Sequence, residues 1–471
     1  MAAVEKLAGL AAILLFAAAG AGWLQLLPGP RSLPRGRGLA LAYLLGVTWV
    51  SGSLYALSHL GGVPLRLPAV LMVSLTPAVA GLFAWLMRRK GIAARPPAVR
   101  RLPKRRRRWI EKASLVVAVA VFLGVLGEAV TNPLRDWDGR MTWVTQARYV
   151  RAEGTVDART LAEPQWYVTH PQYPLLMPLA QIAAMEIAGV PDDVHAFRPL
   201  YACFFPVFLS ILYGFPRRRV RRDAAALTVL AAALLPLPAF FLSGGATSAY
   251  SDLPLACFYG AGLLLLLRRR PRISDGVAAG FLLAAAVLSK NEGLPLALTA
   301  LVLAALAQSR HRIGRRRGLA AVGAAAVAVA IAIALLVSWR ARIPNRYDED
   351  YASLLTLDAL WPAMVERLPL LLPKIRFEMI SLDHWNLFWS VAPVVLLAGW
   401  RGLRRRGAIV LALAALAPLA LAWIAYSVSL NPADIVRMTW NRFLLQASVP
   451  FLSLFSFTLD DLLRRRSKVK P

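Results

Sequence analysis

The sequence has few acidic residues and almost no cysteine. Its 471 residues include 55 Lys and Arg but only 25 Asp and Glu, and 58% of all residues are hydrophobic. A soluble domain of this composition could not cover its surface with polar groups, so the balance excludes an ordinary soluble enzyme. The two cysteines, Cys203 and Cys257, lie inside separate apolar runs, which indicates buried thiols rather than a disulfide framework or a metal site.

Other absences narrow the function. The sequence has no Gly-rich loop of the kind that binds nucleotide phosphates. It shows no internal repeat, which counts against a transporter built from repeated halves. The first apolar run, Leu7–Leu27, has the length of a full membrane span and no convincing cleavage site, so we expect a span there rather than a signal peptide.

The basic residues stand on one side of the apolar runs. Because Lys and Arg are retained on the cytoplasmic side during insertion, this sorting predicts an N-terminus outside and a C-terminus in the cytoplasm. The Ala- and Arg-rich composition favours the plasma (inner) membrane of a bacterium. The basic clusters are Arg31–Arg37, Arg88–Lys112, Arg217–Arg222, Arg268–Arg272, Arg310–Arg317, Arg401–Arg406 and Arg464–Lys470.

The same placement argues against nucleic acid as a partner. Each basic cluster is short and sits at the end of an apolar run, where it would contact the headgroups of membrane lipids. The segments on the opposite side carry acids, aromatics and histidine, so we expect the chemistry at the outer face. These segments are Leu134–Arg198, Gly244–Asp252, Arg342–Asn386 and Ser429–Asn441.

The apolar runs predict an all-α, polytopic integral membrane protein with about 13 transmembrane helices. A large first outer loop with interfacial helices would carry catalytic residues. We expect two parts: residues 1–111 with three helices and a basic cytoplasmic linker, and residues 112–471 with the functional domain. The expected spans are Leu7–Leu27, Leu39–Leu60, Leu67–Met87, Ser114–Val130, Pro199–Phe215, Ala224–Leu242, Leu253–Leu267, Gly276–Ser289, Leu294–Ala307, Leu319–Trp339, Leu387–Trp400, Ala408–Tyr426 and Phe443–Leu459.

One further apolar run, Leu175–Val190, does not fit as a span. If it crossed the membrane, every later basic cluster would lie on the outer side. Pro171, Pro174 and Pro178 interrupt its start, so we expect a helix that lies in the outer interface. The alternative is a fourteenth span and a weak violation of the charge rule.

The first outer segment places two aspartates close to aromatic residues. Asp136 and Asp138 follow a span, and a short helix over Thr142–Arg151 would carry Trp143 on its apolar face. A carboxylate at this depth is well placed as a base for an acceptor hydroxyl. The alternative is that one of the aspartates only caps the helix that follows.

His170 and Tyr173 stand in a proline-rich stretch of the same segment. Either could orient a substrate or bind a metal ion, although a single loop histidine more often does neither. If a divalent cation such as Mg²⁺ or Mn²⁺ takes part, its candidate ligands are Asp138 and Asp252.

Later segments place charged residues at the ends of spans. Asp252 opens one span, and Lys290 and Glu292 lie in a tight turn between two others. Arg442 precedes the last span. Charges at this depth are costly unless used, which favours catalysis by Asp252 and phosphate contacts by Lys290 and Arg442. The alternatives are a helix cap for Asp252, an ion pair of Lys290 with Glu292 or Asp252, and a snorkelling Arg442.

Several short motifs therefore follow one another along the chain. They are Asp138 with Trp143 and Ala147, Tyr173-Pro174-Leu175, Ala196-Phe197-Arg198, Asp252, Leu288-Ser289-Lys290-Asn291 and Arg442-Phe443. Their order resembles the GT-C superfamily of membrane glycosyltransferases, and most closely the branch of protein O-mannosyltransferases and aminoarabinose transferases. The likeness covers residues 112–460. Gly139 stands where that branch has Glu, which leaves open whether Asp136 or Asp138 is the base.

The resemblance implies transfer of a sugar from a polyprenyl-phosphate donor to a glycan, lipid or protein acceptor, with inversion at the anomeric carbon. The alternatives are a polytopic lipid or solute transporter (a flippase) and a catalytically inactive scaffold on the same fold. The residues implied fall into three sets. They are Asp138, Asp252 and Asp136 for catalysis, Lys290, Arg198 and Arg442 for the donor phosphate, and His170, Tyr173, Trp143 and Glu292 for substrate positioning.

Overall fold

The computed structural model describes residues 2–27, 35–91, 108–190, 194–216, 219–240, 244–310, 314–343, 356–405, 407–429 and 431–468. Within these ranges all regular structure is helical and no strand occurs, which confirms an all-α polytopic membrane protein. Parts of the predicted clusters Arg31–Arg37 and Arg88–Lys112 and of the predicted outer segment Arg342–Asn386 lie outside the described residues. The boundary expected after residue 111 follows such a stretch.

The first three helices pack closely on one another. They are α1 (Ala2–Leu26), α2 (Arg35–Gly61) and α3 (Leu67–Gly91). A Cβ atom added to Gly20 of α1 would lie 1.7 Å from the carbonyl oxygen of Ala42, and one added to Gly46 of α2 would lie 1.7 Å from that of Phe16. Small residues let membrane helices approach at backbone distance, so glycine at these two positions sets the α1–α2 contact.

The first outer segment forms short helices, as predicted. After α4 (Arg108–Thr131) come a π-helix (Gly139–Val144) and α5 (Thr145–Glu153), and the side chains of Trp143, Ala147 and Val150 are fully buried. Farther along, α6 (Leu176–Ala188) has 13 residues. At 1.5 Å per residue it is about 20 Å long, too short to cross roughly 30 Å of hydrocarbon, which agrees with a helix that does not span.

The middle of the chain forms a set of apolar helices. One predicted helix, Ala224–Leu242, is wrong as a single element: α9 ends at Ala233 and α10 begins at Pro236. Proline cannot donate the backbone hydrogen bond that would continue α9, so the chain breaks there. The helices of this part are α7 (Arg198–Ala202), α8 (Phe204–Gly214), α9 (Arg222–Ala233), α10 (Pro236–Phe240), α11 (Asp252–Leu266), α12 (Ile273–Ser289), α13 (Gly293–Ser309) and α14 (Arg315–Arg340).

The C-terminal part contains a helix that the sequence pattern did not predict. This helix, α15 (Leu357–Ile380), carries three prolines, which normally indicate loop. Four further helices follow, α16 (Leu382–Trp385), α17 (Phe388–Ala398), α18 (Ala408–Val428) and α19 (Pro432–Lys468). Eight helices of the described chain are long and apolar enough to cross a membrane, so the expected number of spans stays a prediction.

Two groups of buried charges lie at opposite ends of α19. Near its start Arg442 contacts Asp252, and near its end Asp460 contacts Arg464 and Arg405. We call these the Asp252 end and the Asp460 end. The two residues of α19 are 18 positions apart, which corresponds to about 27 Å along a helix. This separation is close to the thickness of the hydrocarbon core.

The Asp460 end brings basic clusters from three parts of the chain together. The carboxylate of Asp460 is fully buried and accepts hydrogen bonds from the backbone N–H of Arg221 at 2.9 Å and from Nε of Arg464 at 2.8 Å. Arg405 adds an ion pair from the turn before α18. A single acid therefore holds cationic segments that would otherwise repel one another.

Replacing Asp460 by Asn should destabilise the protein markedly. The change removes the charge of a fully buried carboxylate that binds Arg405 and the backbone N–H of Arg221, and a hydrogen bond to such a charged group contributes about 2 kcal/mol. Thermal unfolding in detergent would measure the shift of the midpoint. The matched control is Asp461→Asn, because among the described residues Asp461 forms its ion pair with Arg465 of the same helix. Equal midpoints for the two variants would contradict this assignment.

Candidate active site

Asp252 is the centre of the buried polar cluster at the Asp252 end. Its side chain is fully buried at the first residue of α11. Oδ1 accepts hydrogen bonds from Lys290 Nζ at 2.8 Å and from Gln446 Nε2 at 2.9 Å, and Oδ2 accepts one from Arg442 Nε at 3.0 Å. All three donors are side chains, so the Asp252 carboxylate does not cap the first turn of α11. The alternative that Asp252 is only a helix cap is therefore wrong.

Arg442 connects Asp252 to the first outer segment. Its NH1 group donates to Asp138 Oδ2 at 2.7 Å, while its Nε holds Asp252. The guanidinium carbon lies 4.9 Å from the ring centroid of Tyr250, and the Tyr250 hydroxyl accepts a hydrogen bond from the backbone N–H of Asp138 at 3.2 Å. Arg442 is only 7% exposed, so it does not snorkel to the surface.

Asp138 is the most accessible carboxylate of the cluster. About a third of its side chain is exposed, in contrast to Asp252. One carboxylate oxygen is held by Arg442, and the other has no hydrogen-bond partner among the residues that the structure describes. Asp138 precedes the π-helix without a side-chain capping bond. A free oxygen beside a fixed one suits a proton acceptor.

Lys290 forms both ion pairs that the alternative interpretation foresaw. Its Nζ lies 2.8 Å from Asp252 Oδ1 and 2.9 Å from Glu292 Oε1. With Arg442 and Asp138, the cluster has two cations and three carboxylates. Both cations are therefore neutralised in the substrate-free protein, and a phosphate would compete with carboxylates for them.

Gly139 allows the first outer segment to approach the segment before α11. A Cβ atom at this position would lie 2.3 Å from the carbonyl oxygen of Ser248. Any larger residue would push Asp138 away from Tyr250 and Arg442. The glycine that replaces the expected Glu is thus required by a backbone contact in this structure.

Asp136 and Arg198 lie near the cluster but outside its hydrogen-bond network. Arg198 donates to the backbone oxygens of Asn132 and Thr247, and its NH2 lies 3.8 Å from Glu128 Oε1. Asp136 is 4% exposed, and its Oδ1 has no partner within the described part of the chain. Burial raises the pKa of Asp136 to about 7, although Arg198 acts in the opposite direction.

His170, Tyr173 and Trp143 form an aromatic wall beside the cluster. The rings of His170 and Tyr173 stack at 4.9 Å with an angle of 13°, and Trp143 packs 5.6 Å from Tyr173. Burial lowers the pKa of His170 and raises that of Tyr173, so both are held uncharged. Gln146 Nε2 donates to the carbonyl oxygen of His170 at 2.7 Å and fixes this turn.

Two members of the cluster were not chosen from the sequence. Gln446 follows Arg442 by one helical turn, and that spacing is the signal that could have identified it. Tyr250 lies two residues before Asp252, but nothing in the sequence places its ring under Arg442. Both are uncharged, so the distribution of charged residues at span ends gives no signal for them.

The geometry does not suit a divalent cation between Asp138 and Asp252. The guanidinium of Arg442 occupies the space between the two carboxylates. Lys290 adds a second positive group on Asp252. Among the described residues, no group of three or more His, Cys, Asp or Glu side chains could hold a metal ion. The two candidate metal ligands, Asp138 and Asp252, therefore both bind Arg442.

Comparison with known families identifies a match in the middle of the chain. Residues 171–339 match the family model described as dolichyl-phosphate-mannose-protein mannosyltransferase. The resemblance to GT-C type membrane glycosyltransferases is thereby confirmed. No curated protein and no solved structure matches the chain.

The matched segment contains part of the candidate site. It includes Tyr173, Arg198, Asp252, Lys290 and Glu292. The other candidate residues, among them Asp138 and Arg442, lie outside the match, which is shorter than the likeness predicted from the motifs. The structure joins the two sets through the contacts of Arg442.

Asp136 should make the stability of the protein depend on pH. Its pKa is higher in the folded protein than in the unfolded chain, so folding retains a proton between about pH 4 and 7, and stability falls as pH rises through this window. A shift of about three units corresponds to on the order of 4 kcal/mol. Asp136→Asn, which imitates the protonated form, should raise the unfolding midpoint most at pH 8 and clearly less at pH 5, where only part of the window has been crossed.

Thermal unfolding in detergent without substrate measures this effect. Asp461→Asn is the control, because Asp461 pairs with Arg465 on the same helix and has no contact with Asp136. A midpoint for Asp136→Asn that follows the unaltered protein at both pH values would show that Asp136 keeps its charge when folded.

Proposed function

We propose that the protein transfers a sugar from a polyprenyl-phosphate donor to an acceptor hydroxyl at the outer face of the membrane. The observation that carries this proposal is the contact of Arg442 with both Asp138 and Asp252. It places a reachable carboxylate next to cations at one end of the helices. The family match of residues 171–339 supports glycosyl transfer as the reaction class.

Asp138 is the proposed base. Its unpartnered oxygen accepts the proton of the acceptor hydroxyl while the hydroxyl oxygen attacks the anomeric carbon. The bond from that carbon to the phosphate oxygen breaks, and the polyprenyl phosphate leaves with the electron pair. Attack opposite to the leaving group inverts the anomeric carbon. Asp136, which is buried, is the alternative base.

Arg442 and Lys290 are the proposed partners of the departing phosphate. Negative charge develops on that phosphate as the bond breaks, and fixed cations stabilise it without having to reorganise. Asp252 holds both cations in place before the donor arrives, and Gln446 donates a hydrogen bond to the same carboxylate. Asp252 is therefore a positioning residue, because its two oxygens are already occupied. Glu292 restrains Lys290 from the other side.

The remaining candidates surround this centre. His170, Tyr173 and Trp143 offer an uncharged aromatic surface, and such surfaces suit the apolar faces of sugar rings. Arg198 connects the chain after α4 with the segment before α11, so its effect on the donor phosphate is indirect.

A transporter would use charged groups along the middle of its helices. In the described structure Asp252 begins α11 and Lys290 follows α12, so these charges lie at helix ends. This placement favours transfer chemistry.

We propose that the N-terminus lies outside and the C-terminus in the cytoplasm of a bacterium. The acceptor is a glycan, lipid or protein.

Asp138→Asn should lower the rate of sugar transfer about 100-fold or more, since it removes the general base. Asp252→Asn should instead raise the donor KM about tenfold, because Arg442 and Lys290 lose the group that orients them. Release of polyprenyl phosphate from polyprenyl-phosphate mannose in vesicles measures both effects, and Asp461→Asn is the matched control at the Asp460 end. Full activity of both variants would refute the proposed mechanism of sugar transfer.

The orientation can be tested with single cysteines at two exposed positions. Ala152 follows the π-helix in the first outer segment, and Arg270 lies between α11 and α12. A membrane-impermeant maleimide should label Ala152→Cys in intact cells but should label Arg270→Cys only after lysis. The Cys203→Ala/Cys257→Ala background removes the native thiols. The reverse labelling pattern would put the Asp252 end in the cytoplasm and refute the proposed site of action.

A further inference from the structure

The outer end of α14 joins two turns that carry candidate site residues. Arg340, the last residue of α14, donates from Nε and NH2 to the carbonyl oxygen of Gln172 at 3.1 and 3.0 Å. The same NH2 group also donates to Oδ1 of Asn291. Gln172 lies between His170 and Tyr173, and Asn291 follows Lys290.

Arg340 is held in place from its own helix. The neighbouring Trp339 is fully buried, and its Nε1 donates to the carbonyl oxygen of Val156 at 2.9 Å. Ser338, one residue earlier, lies 2.9 Å from Nε2 of the buried His59 on α2. These contacts fix the end of α14, so the guanidinium of Arg340 has a defined position.

The first of the two turns needs such support. His170 has a φ of 51°, a left-handed conformation that a non-glycine residue adopts only when its surroundings impose it. Gln146 holds the carbonyl oxygen of His170, and Arg340 holds that of Gln172. The turn is thus fixed on both sides, and its second support comes from the residue that also binds the Lys290 turn.

We propose that Arg340 is a positioning residue that sets the distance between the His170–Tyr173 turn and the Lys290–Glu292 turn. It contacts neither Asp138 nor Arg442, so it acts through the groups it places. Its planar guanidinium reaches two acceptors at once, which the single ammonium of a lysine at this position cannot reproduce. The catalytic consequence rests on the proposed function, whereas the structural role does not.

The test compares Arg340→Gln, Arg340→Lys and the control Arg342→Gln. Arg342 is two residues away, is about half exposed and pairs with Asp157, without contact to either turn. We expect Arg340→Gln to lower kcat about tenfold to 100-fold with the donor KM within about threefold, because misplaced groups cost rate more than binding. Arg340→Lys should fall within about threefold of Arg340→Gln, and Arg342→Gln should match the unaltered protein.

Hydrogen exchange supplies a readout that does not depend on activity. The amide of Tyr173 is bonded to the carbonyl oxygen of His170 at 2.9 Å, and that of Gly293 to the carbonyl oxygen of Lys290 at 2.9 Å. Both amides should exchange about tenfold faster in Arg340→Gln and at the unaltered rate in Arg342→Gln.

The outcomes separate the two proposals. Restored activity in Arg340→Lys would assign Arg340 a simple charge contact with the donor and overturn the positioning role. Unchanged exchange at Tyr173 and Gly293 in Arg340→Gln would also overturn it. Faster exchange at both amides, in a protein that shows no sugar transfer even when unaltered, would support the role of Arg340 and refute the proposed function.

Discussion

The contact of one buried guanidinium with two carboxylates organises the candidate site. Arg442 binds Asp138 in the first outer segment and Asp252 at the start of α11, so three distant parts of the chain meet at α19. A buried charge without its partner is expensive, and each of these groups is stable only while the others are present. The position of Asp138 in the first outer segment therefore depends on Arg442, which lies 304 residues later in the chain.

The two aspartates bound by Arg442 differ in what they can do. Asp252 is fully buried and saturated with donors, whereas Asp138 keeps one oxygen accessible. The same cation thus contacts a fully buried acid on one side and a partly exposed acid on the other, and the latter is the proposed base. Such an arrangement prepares the electrostatics of a site before substrate binds, because its charges do not have to move when the reaction begins.

The sequence predicted the convergence of the charged residues but not the shape of the site. Sorting of basic clusters placed Asp252, Lys290 and Arg442 at one face, and the structure brings them into direct contact. Gln446 and Tyr250 were not predicted as site residues, because an uncharged side chain does not indicate on which side of the membrane a segment lies. The burial of Asp136 could not be predicted either, because an aspartate in a loop is expected to be solvated unless its neighbours in space are known.

The predicted helices differ from the observed ones at two proline-containing segments. Pro236 divides a predicted span, yet the three prolines of α15 do not prevent a 24-residue helix. The difference lies in packing: Arg367 of α15 donates to the carbonyl oxygens of Tyr426 and Ser429 at the end of α18, a contact between segments that local sequence cannot reveal.

The length of α19 between its two ionic contacts links the candidate site to the thickness of the surrounding membrane. Arg442 and Asp460 are anchored to different parts of the protein about 27 Å apart, on one continuous helix. A bilayer whose apolar thickness departs from that value would make α19 tilt or slide. Because Arg442 of the same helix binds Asp138, a change in membrane thickness that moved α19 would also move the carboxylate of Asp138.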